Sequence, residues 1–410
     1  MSLRKKHKFF NLNGYSLSDI TQNEANSIFD FINSWLHEQT WDMGKIGDKE
    51  KILNYLNYHG LGGIFGKMNL EGQIINSPNN SLQQVYFTNS INHEKTLSLC
   101  KKMVEICALH KIPISILKGP ALSHDVFGDS GLRSYGDIDI FTDTRENAIK
   151  LLTELGSDGF NDKGEDAFTG RLKDPHKLST VINGIELEIM YLNDQVIDPM
   201  HEFLSRNRQK ILAIPEKLSD LLSPEPSIHL VFLLLHMGVN HLCSRLIWFI
   251  DLIVLYKEKK LCIDIEWINS ELKSLELESL SSEISIFCKQ YLSDEFPLIS
   301  EHSKQWNSSF IRFTLMPKSV INARFKLKKG GCLHRYLILF LYPFVNFLIG
   351  NTDRPIKNLA MQRTSNRLSH GLRSSSGKVS YIASIALLLP ISWLIGLSFN
   401  VISFLYPQRG

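Results

Sequence analysis

The spacing of apolar residues is helical at the start of the chain. Between residues 18 and about 67 they recur at intervals of three and four, which predicts short amphipathic helices. The polar stretch 72–80 contains a Ser-Pro-Asn-Asn turn and is expected to end this unit. From 84 to 110 one apolar stripe continues without a break, which predicts a single long helix.

The next part of the chain alternates strands and helices. Residues 111–117 form an apolar run that is closed by a Lys-Gly-Pro turn, and residues 135–141 alternate polar and apolar positions. Both stretches predict strands. A helix is predicted over 143–156 and a third strand over 184–192. This order predicts an α/β or α+β arrangement rather than a helical bundle.

Apolar residues return to helical spacing after the third strand. Residues 225–260 and 263–292 predict long helices that pack together, and the apolar runs 336–349 and 379–406 follow.

These changes divide the chain into four predicted regions. They are an N-terminal helical region (1–82), a sheet-containing domain (83–222), a helical domain (223–330) and a basic and apolar C-terminal region (331–410).

Composition excludes several classes of protein. Apolar side chains make up 43% of the chain, enough for a large core. The six cysteines include no C-x-x-C pair, which argues against a zinc ribbon and a disulfide framework. The first eight residues are basic, but no apolar segment of a signal peptide follows them. We therefore expect a cytoplasmic protein.

Charge is distributed unevenly along the chain. Residues 304–378 contain 14 lysines and arginines against one acid, whereas residues 1–303 contain 30 against 41 acids. A basic segment favours anionic lipid surfaces or nucleic acid. Because the basic residues lie away from the predicted strands, a nucleic-acid polymerase is not expected.

The candidate chemistry centres on two aspartates in the second predicted strand. Asp137 and Asp139 project from one face of that strand, because side chains alternate along it. Two neighbouring carboxylates repel each other unless cations neutralise them, and hard oxygen ligands suit Mg²⁺ or Mn²⁺. An isolated pair of this kind is more often two solvated acids, so its neighbours decide the interpretation.

Those neighbours favour a phosphate-handling site. Lys118 supplies positive charge, and Gly119 allows a phosphate to approach the backbone. Glu186 and Glu188 share one face of the third strand and offer a third carboxylate.

Four blocks in order resemble the uncharacterised nucleotidyltransferase family of the DNA-polymerase-β-like superfamily. That family's pattern is L-K-G-x-A-L, then R-x-x-G-D-I-D, then E-L-H, then H-x4-H-x3-R-L-x-W-x-x-D. The resemblance covers roughly residues 20–350. The matching residues here are Leu117-Lys118-Gly119-Pro120-Ala121-Leu122, Arg133 with Gly136-Asp137-Ile138-Asp139, Glu186-Leu187-Glu188, and His236, His241, Arg245, Leu246, Trp248 and Asp251.

The resemblance implies an α+β (α/β-like) fold with a small mixed sheet of the polymerase-β nucleotidyltransferase type, embedded between helical regions. It also implies transfer of a nucleoside monophosphate from a nucleoside triphosphate to an acceptor, with release of pyrophosphate. It implies Mg²⁺ or Mn²⁺ held by Asp137, Asp139 and Glu186. Glu188 stands where the family usually has histidine, so it is a less certain neighbour. The acceptor is an unidentified small molecule, sugar, peptide or protein, and no nucleic acid is expected. The alternative is a binding or regulatory module that keeps the fold without turnover.

The remaining candidates are substrate contacts. Lys118, Gly119 and Arg133 are candidates for phosphate binding, and Arg133 could equally pair with the aspartates. On a continuous helix His236 and Asp251 would lie on one polar stripe, with His241 and Arg245 beside it. That stripe is either an acceptor pocket or a structural network joining two domains.

The C-terminal apolar run leaves two interpretations open. Residues 379–406 carry no charge and are long enough for a membrane-spanning helix, but they include a proline, an asparagine and five serines. Such a helix would attach the protein to the cytoplasmic face of the membrane, with the basic segment near anionic lipid. Otherwise the run packs into the protein.

Overall fold

The first two helices begin at Thr21 and Asp48, whose side chains cap them. The computed structural model describes residues 21–77, 82–156, 177–192, 199–218, 224–240, 245–275 and 277–292. Helix α1 (Gln22–Leu36) begins at a capping box formed by Thr21 and Glu24. Helices α2 (Lys49–Tyr58) and α3 (Gly62–Leu70) follow. Two short strands, β1 (Trp41–Asp42) and β2 (Ile74–Ile75), pair in parallel beside them.

The predicted long helix is confirmed. Helix α4 (Gln83–His110) buries one stripe of apolar side chains and ends where Lys111 adopts a left-handed conformation with φ of 54°. Gly63 of α3 lies against the segment that leads into the main sheet. A Cβ atom at this glycine would approach the Gly131 carbonyl oxygen to 2.2 Å, so α3 can pack this closely only without a side chain there.

The main sheet has four strands in the order β3-β4-β6-β5. Its strands are β3 (Ile114–Ile116), β4 (Asp137–Thr142), β5 (Lys177–Ile182) and β6 (Ile185–Tyr191). Strand β4 pairs in parallel with β6, and the other two pairings are antiparallel. The sheet is therefore mixed, and the predicted α+β fold is confirmed.

Two short helices connect the strands of this sheet. Helix α5 (Pro120–Asp125) follows β3, and helix α6 (Arg145–Glu154) follows β4. Helix α6 corresponds to the helix predicted over 143–156.

Strand β5 was missed by the sequence analysis, which predicted only the other three strands. Asn183 and Gly184 join β5 to β6 with φ of 52° and 82°. Asn-Gly with both φ values positive is the preferred two-residue hairpin turn. This dipeptide was the signal that could have revealed the hairpin.

The sheet has one apolar face and one face that carries acids. Its apolar side chains, among them Ile138, Ile140, Leu187 and Ile189, form a core with α4 and α6. Phe141 on the opposite face belongs to a second, larger core built from helices at both ends of the described chain. The acids thus lie on the side of the sheet that faces the helical part of the protein.

The predicted helical region 225–260 is interrupted. Helix α9 (Pro226–Leu234) continues as a π-helical turn (Leu235–Asn240), and helix α10 (Leu246–Lys259) begins after Arg245. The premise of one continuous helix was wrong, because Arg245 has an extended backbone with φ of −138° and ψ of 131°.

His59 provides the physical reason for this break. Its ring nitrogen Nδ1 accepts a hydrogen bond from the Leu246 amide, and its carbonyl accepts one from the Ile247 amide, each at 3.3 Å. The N-terminal helices thus satisfy donors that begin α10.

Four further helices complete the described chain. Helices α7 (Pro199–Arg206) and α8 (Arg208–Ile211) precede α9. The stretch predicted as helical over 263–292 forms two helices, α11 (Ile265–Ser274) and α12 (Glu278–Tyr291).

The C-terminal predictions lie outside the described residues. This applies to the basic segment 304–378, the apolar runs 336–349 and 379–406, and the region 331–410 that contains those runs. Within the described ranges, none of the helices is both long enough and apolar enough to cross a membrane.

Candidate functional site

Three carboxylates meet on the acidic face of the main sheet. Asp137 and Asp139 alternate along β4, and the parallel pairing places Glu188 of β6 beside Asp139. One oxygen from each of these three carboxylates lies within 4.8 Å of the other two. We call Asp137, Asp139 and Glu188 the acid cluster.

Strand register distinguishes Glu188 from Glu186. Glu186 projects from the same face of β6, but its partner in the sheet is Asp137 and its side chain is exposed. The structure thus brings together Asp137 and Asp139 as predicted, with Glu188 rather than Glu186 as the third member of the cluster. The assignment of a metal-binding role to Glu186 stays a prediction.

Burial shapes the electrostatics of the cluster. The Asp139 side chain is only 6% exposed, whereas that of Asp137 is 34% exposed. The pKa of Asp139 is raised to about 6: burial raises it most, Lys118 lowers it, and the Asp137 and Glu188 charges raise it. Asp139 is therefore a carboxylate that needs a cation nearby.

Two lysines supply positive charge from opposite sides. The Lys118 ammonium lies 2.7 Å from Asp139 Oδ2 and 3.8 Å from Asp137 Oδ2. Lys177, at the start of β5, forms an ion pair with Glu188. Burial opposes the charge of Lys118, but Asp139 and Asp137 raise its pKa above the ordinary value. Lys177 was not predicted as a site residue, because its position depends on the β5–β6 hairpin, which was not predicted either.

The turn after β3 brings Lys118 and Gly119 against β4. The Leu117 amide donates to the Asp139 carbonyl at 3.0 Å, which fixes the backbone before Lys118. Gly119 has φ of 70°, and a Cβ atom there would lie 2.9 Å from the Asp137 carbonyl oxygen. Gly119 therefore lies directly beside the backbone of Asp137, and its phosphate-binding role stays a prediction.

Arg133 pairs with a helix rather than with the acid cluster. Its Nε and Nη2 atoms donate to the two carboxylate oxygens of Asp251 at 2.7 and 2.8 Å. Both residues are buried, and the third guanidinium nitrogen, Nη1, has no hydrogen-bond partner among the described residues. Asp251 thus connects α10 to the segment that enters β4, as the structural-network alternative requires.

His236 and Arg245 lie around Trp248. The His236 ring packs edge-on to Trp248 at 5.5 Å between centroids and stacks on Phe232 at 6.0 Å. The Arg245 guanidinium lies over the Trp248 ring at 5.8 Å. His241 lies outside the described residues. A substrate-binding role for these three residues stays a prediction.

A histidine and a tyrosine next to the site escaped the sequence analysis. The Tyr135 hydroxyl lies 2.8 Å from His93 Nδ1 on α4. The Tyr135 ring lies beside Gly119, 3.6 Å from where a Cβ atom would be. His93 thus holds the residue two positions before Asp137. The signal was weak, because Tyr135 occupies a variable position of the R-x-x-G-D-I-D block and His93 lies outside all four blocks.

The acid cluster fits a hard divalent cation. Its ligands are all carboxylate oxygens, which Mg²⁺ and Mn²⁺ prefer. Asp139 Oδ2 is buried, and the Lys118 ammonium lies 2.7 Å from it. This oxygen is therefore held in a place where a positive charge is favoured.

A small mixed sheet that carries clustered acids between helices defines an α+β fold of the nucleotidyltransferase type. A family model described as "Uncharacterised nucleotidyltransferase" matches residues 47–293, more than half of the chain. The chain belongs to this family. The comparison with curated proteins gave no match, and neither did the comparison with solved structures.

Proposed function

We propose that the protein transfers a nucleoside monophosphate from a nucleoside triphosphate to an acceptor and releases pyrophosphate, in a reaction that depends on Mg²⁺ or Mn²⁺. The observation that carries this proposal is the acid cluster beside Lys118 and Gly119, in a chain of the nucleotidyltransferase family.

Asp137, Asp139 and Glu188 would hold the metal. A divalent cation bound there supplies charge that stabilises the attacking and leaving oxygens. We favour Glu188 over Glu186 as third ligand, because its carboxylate belongs to the cluster.

The chain's own residues would bind and orient the triphosphate. Lys118 would contact phosphate oxygens, and Gly119, which packs against the Asp137 carbonyl, would hold the turn that carries Lys118 beside the acid cluster. The acceptor group would attack the α-phosphorus while the bond to pyrophosphate breaks, so positioning and charge neutralisation dominate the catalysis. Arg133 would act through its pair with Asp251, by positioning the segment that leads to Asp137.

The acceptor would bind on the helical side of the sheet, which the acid cluster faces. His236 and Arg245 are candidates for its pocket, together with His241. A small molecule, sugar, peptide or protein remains the proposed acceptor class.

A labelling assay tests the proposal. The full-length protein is incubated with α-labelled triphosphates, Mg²⁺ or Mn²⁺ and cell extract, and labelled products are identified by mass spectrometry. We expect Asp137→Asn and Asp139→Asn to lose metal-dependent binding and transfer. Unchanged binding of metal and triphosphate in both variants would exclude this site. Binding by the wild type without turnover would support the inactive module instead.

The third carboxylate is tested with a matched pair of variants. Glu188→Gln and Glu186→Gln change neighbouring positions on one face of β6. We expect Glu188→Gln to weaken Mn²⁺ binding and transfer far more than Glu186→Gln. The reverse order would restore Glu186 as the ligand.

Membrane attachment through 379–406 is a separate proposal. It rests on the length and lack of charge of that run and on the basic segment before it. Fractionation of the chain with and without residues 379–410 tests it, and a full-length protein that never sediments with membranes would exclude the anchor.

A further inference from the structure

Lys118 occupies the place where a metal ion would contact the two aspartates. Its ammonium lies 2.7 Å from Asp139 Oδ2 and 3.8 Å from Asp137 Oδ2. A divalent cation held by the same oxygens would approach them to about 2.0–2.2 Å. The two cations would repel each other at such short range, so a metal can bind both aspartates only if the ammonium moves away.

We propose that Lys118 couples the binding of metal to the binding of triphosphate: it neutralises the aspartates until a triphosphate offers it another anionic partner. This inference rests on the proposed function. Metal alone then binds weakly, because the displaced lysine has no new partner. Metal and triphosphate together bind well, because the metal takes the aspartates and the lysine takes the phosphate.

The local structure allows the side chain to move while the backbone stays. The Leu117 amide is bonded to the Asp139 carbonyl, and Gly119 lies against the Asp137 carbonyl, so the turn is fixed on both sides of Lys118. The lysine side chain has a flexible four-carbon stem and a compact charge that can change partners. Because Asp139 Oδ2 is buried against the Lys118 ammonium at 2.7 Å, a metal ion bound to this oxygen would have to take the place of the ammonium.

Lys177 offers a matched comparison inside the same cluster. It pairs with Glu188 from the β5 edge, and its side chain is more exposed, at 28% against 13% for Lys118. No contact is recorded within the described residues between Lys177 and either aspartate. Its removal changes the net charge by the same amount but does not free the aspartate oxygens.

The test measures metal binding first and triphosphate binding second. Mn²⁺ is titrated into the full-length protein, and free Mn²⁺ is counted by electron paramagnetic resonance. We expect Lys118→Met to bind Mn²⁺ alone about tenfold more tightly than the wild type, within the usual range for coupled sites. At saturating Mn²⁺, a non-hydrolysable triphosphate should bind about tenfold more weakly to the same variant. Tighter Mn²⁺ binding together with weaker triphosphate binding would indicate coupling, because a general loss of structure would weaken both.

Two further variants sharpen the result. Lys118→Arg keeps the positive charge, so its affinity for Mn²⁺ alone should stay near that of the wild type. Lys177→Met should tighten Mn²⁺ binding less than Lys118→Met and weaken triphosphate binding less than Lys118→Met. Lys118→Gln replaces Lys118→Met if circular dichroism shows that the methionine variant is unfolded.

Three results would overturn the inference. Mn²⁺ affinity in Lys118→Met could be unchanged or weaker, or Lys177→Met could produce an equal increase, which would show that only net charge matters. Triphosphate binding could also be unaffected by the loss of Lys118. If the wild type bound neither Mn²⁺ nor Mn²⁺ with triphosphate, the proposed function itself would fail, which is a distinguishable result.

Discussion

Two groups of charged residues lie near the start of β4, and they differ in how completely they are neutralised. Arg133 and Asp251 form a closed pair with two hydrogen bonds, and the residues are only 4% and 0% exposed. In the acid cluster three carboxylates face two lysines, and the Asp137 side chain remains 34% exposed.

The difference separates a structural pair from a binding site. A balanced, bidentate pair in the interior leaves no charge for a ligand, and loss of one partner exposes the other to an apolar environment. In an acid cluster with excess negative charge and access to solvent, the carboxylates repel one another. A bound cation relieves this repulsion. Substitutions in the acid cluster should therefore affect activity more than stability, and substitutions in the Arg133–Asp251 pair should do the reverse.

The largest expected effect is on activity. Asp139→Asn should lower nucleotidyl transfer by at least about a thousandfold, because it removes a charged group that acts together with its neighbours. Its stability should change by less than about 1 kcal/mol, because burial already disfavours the charged form of Asp139. Transfer assays and urea unfolding of the same preparations measure both. A large loss of stability would make Asp139 a structural residue like Asp251.

The closed pair should show the reverse behaviour. Asp251→Leu should lower the free energy of unfolding by about 3–5 kcal/mol, because it leaves the Arg133 guanidinium buried without its counter-charge. The double variant Arg133→Leu with Asp251→Leu should recover much of that loss. Urea unfolding of the two single variants and the double variant gives the coupling energy. A double variant as unstable as Asp251→Leu would show that charge balance is not what the pair provides.

The free energy of unfolding should also depend on pH, because the buried His229 near Arg133 changes its protonation on unfolding. The pKa of His229 is lowered to about 4: burial lowers it most, a hydrogen bond with the Leu117 backbone opposes the shift, and the Arg133 charge adds to it. The unfolded state therefore binds a proton at higher pH than the folded state does. The stability contributed by neutral His229 is complete above about pH 6.5 and is lost as pH falls toward 4, by on the order of 3 kcal/mol.

The control for this prediction is His229→Gln, which cannot titrate. Urea unfolding between pH 4 and 7 should show a smaller loss of stability for this variant than for the wild type. Equal slopes in the two proteins would mean that His229 is already protonated in the fold or contributes nothing in this range.

The sequence predicted features that depend on local periodicity. The apolar stripe of α4 and the alternation along β4 each depend only on residue spacing within that element. The long helix and the shared face of Asp137 and Asp139 could therefore be predicted. The break before α10 could not, because the amides of Leu246 and Ile247 bond to His59, which is remote in sequence.

The choice of the third carboxylate also depends on tertiary structure. Glu186 and Glu188 share one face of β6, and only the register with β4 decides which of them lies beside Asp139. Lys177 reaches Glu188 because β5 pairs with β6 across the Asn-Gly turn. The turn was visible in the sequence, but the ion pair was not.

A substitution in the Asn-Gly turn should have the smallest effect, and it tests whether the β5–β6 hairpin supports the acid cluster. Gly184 has φ of 82°, so Gly184→Ala should destabilise the protein by about 1 kcal/mol through strain in the left-handed region. Gly47→Ala is the matched control, because it has open space around it and no positive φ. Urea unfolding should separate the two variants. Because the hairpin positions Lys177 at Glu188, Gly184→Ala should also raise Mn²⁺ affinity slightly, in the direction of Lys177→Met. Identical unfolding midpoints for the two glycine variants would show that the turn does not hold this side of the cluster.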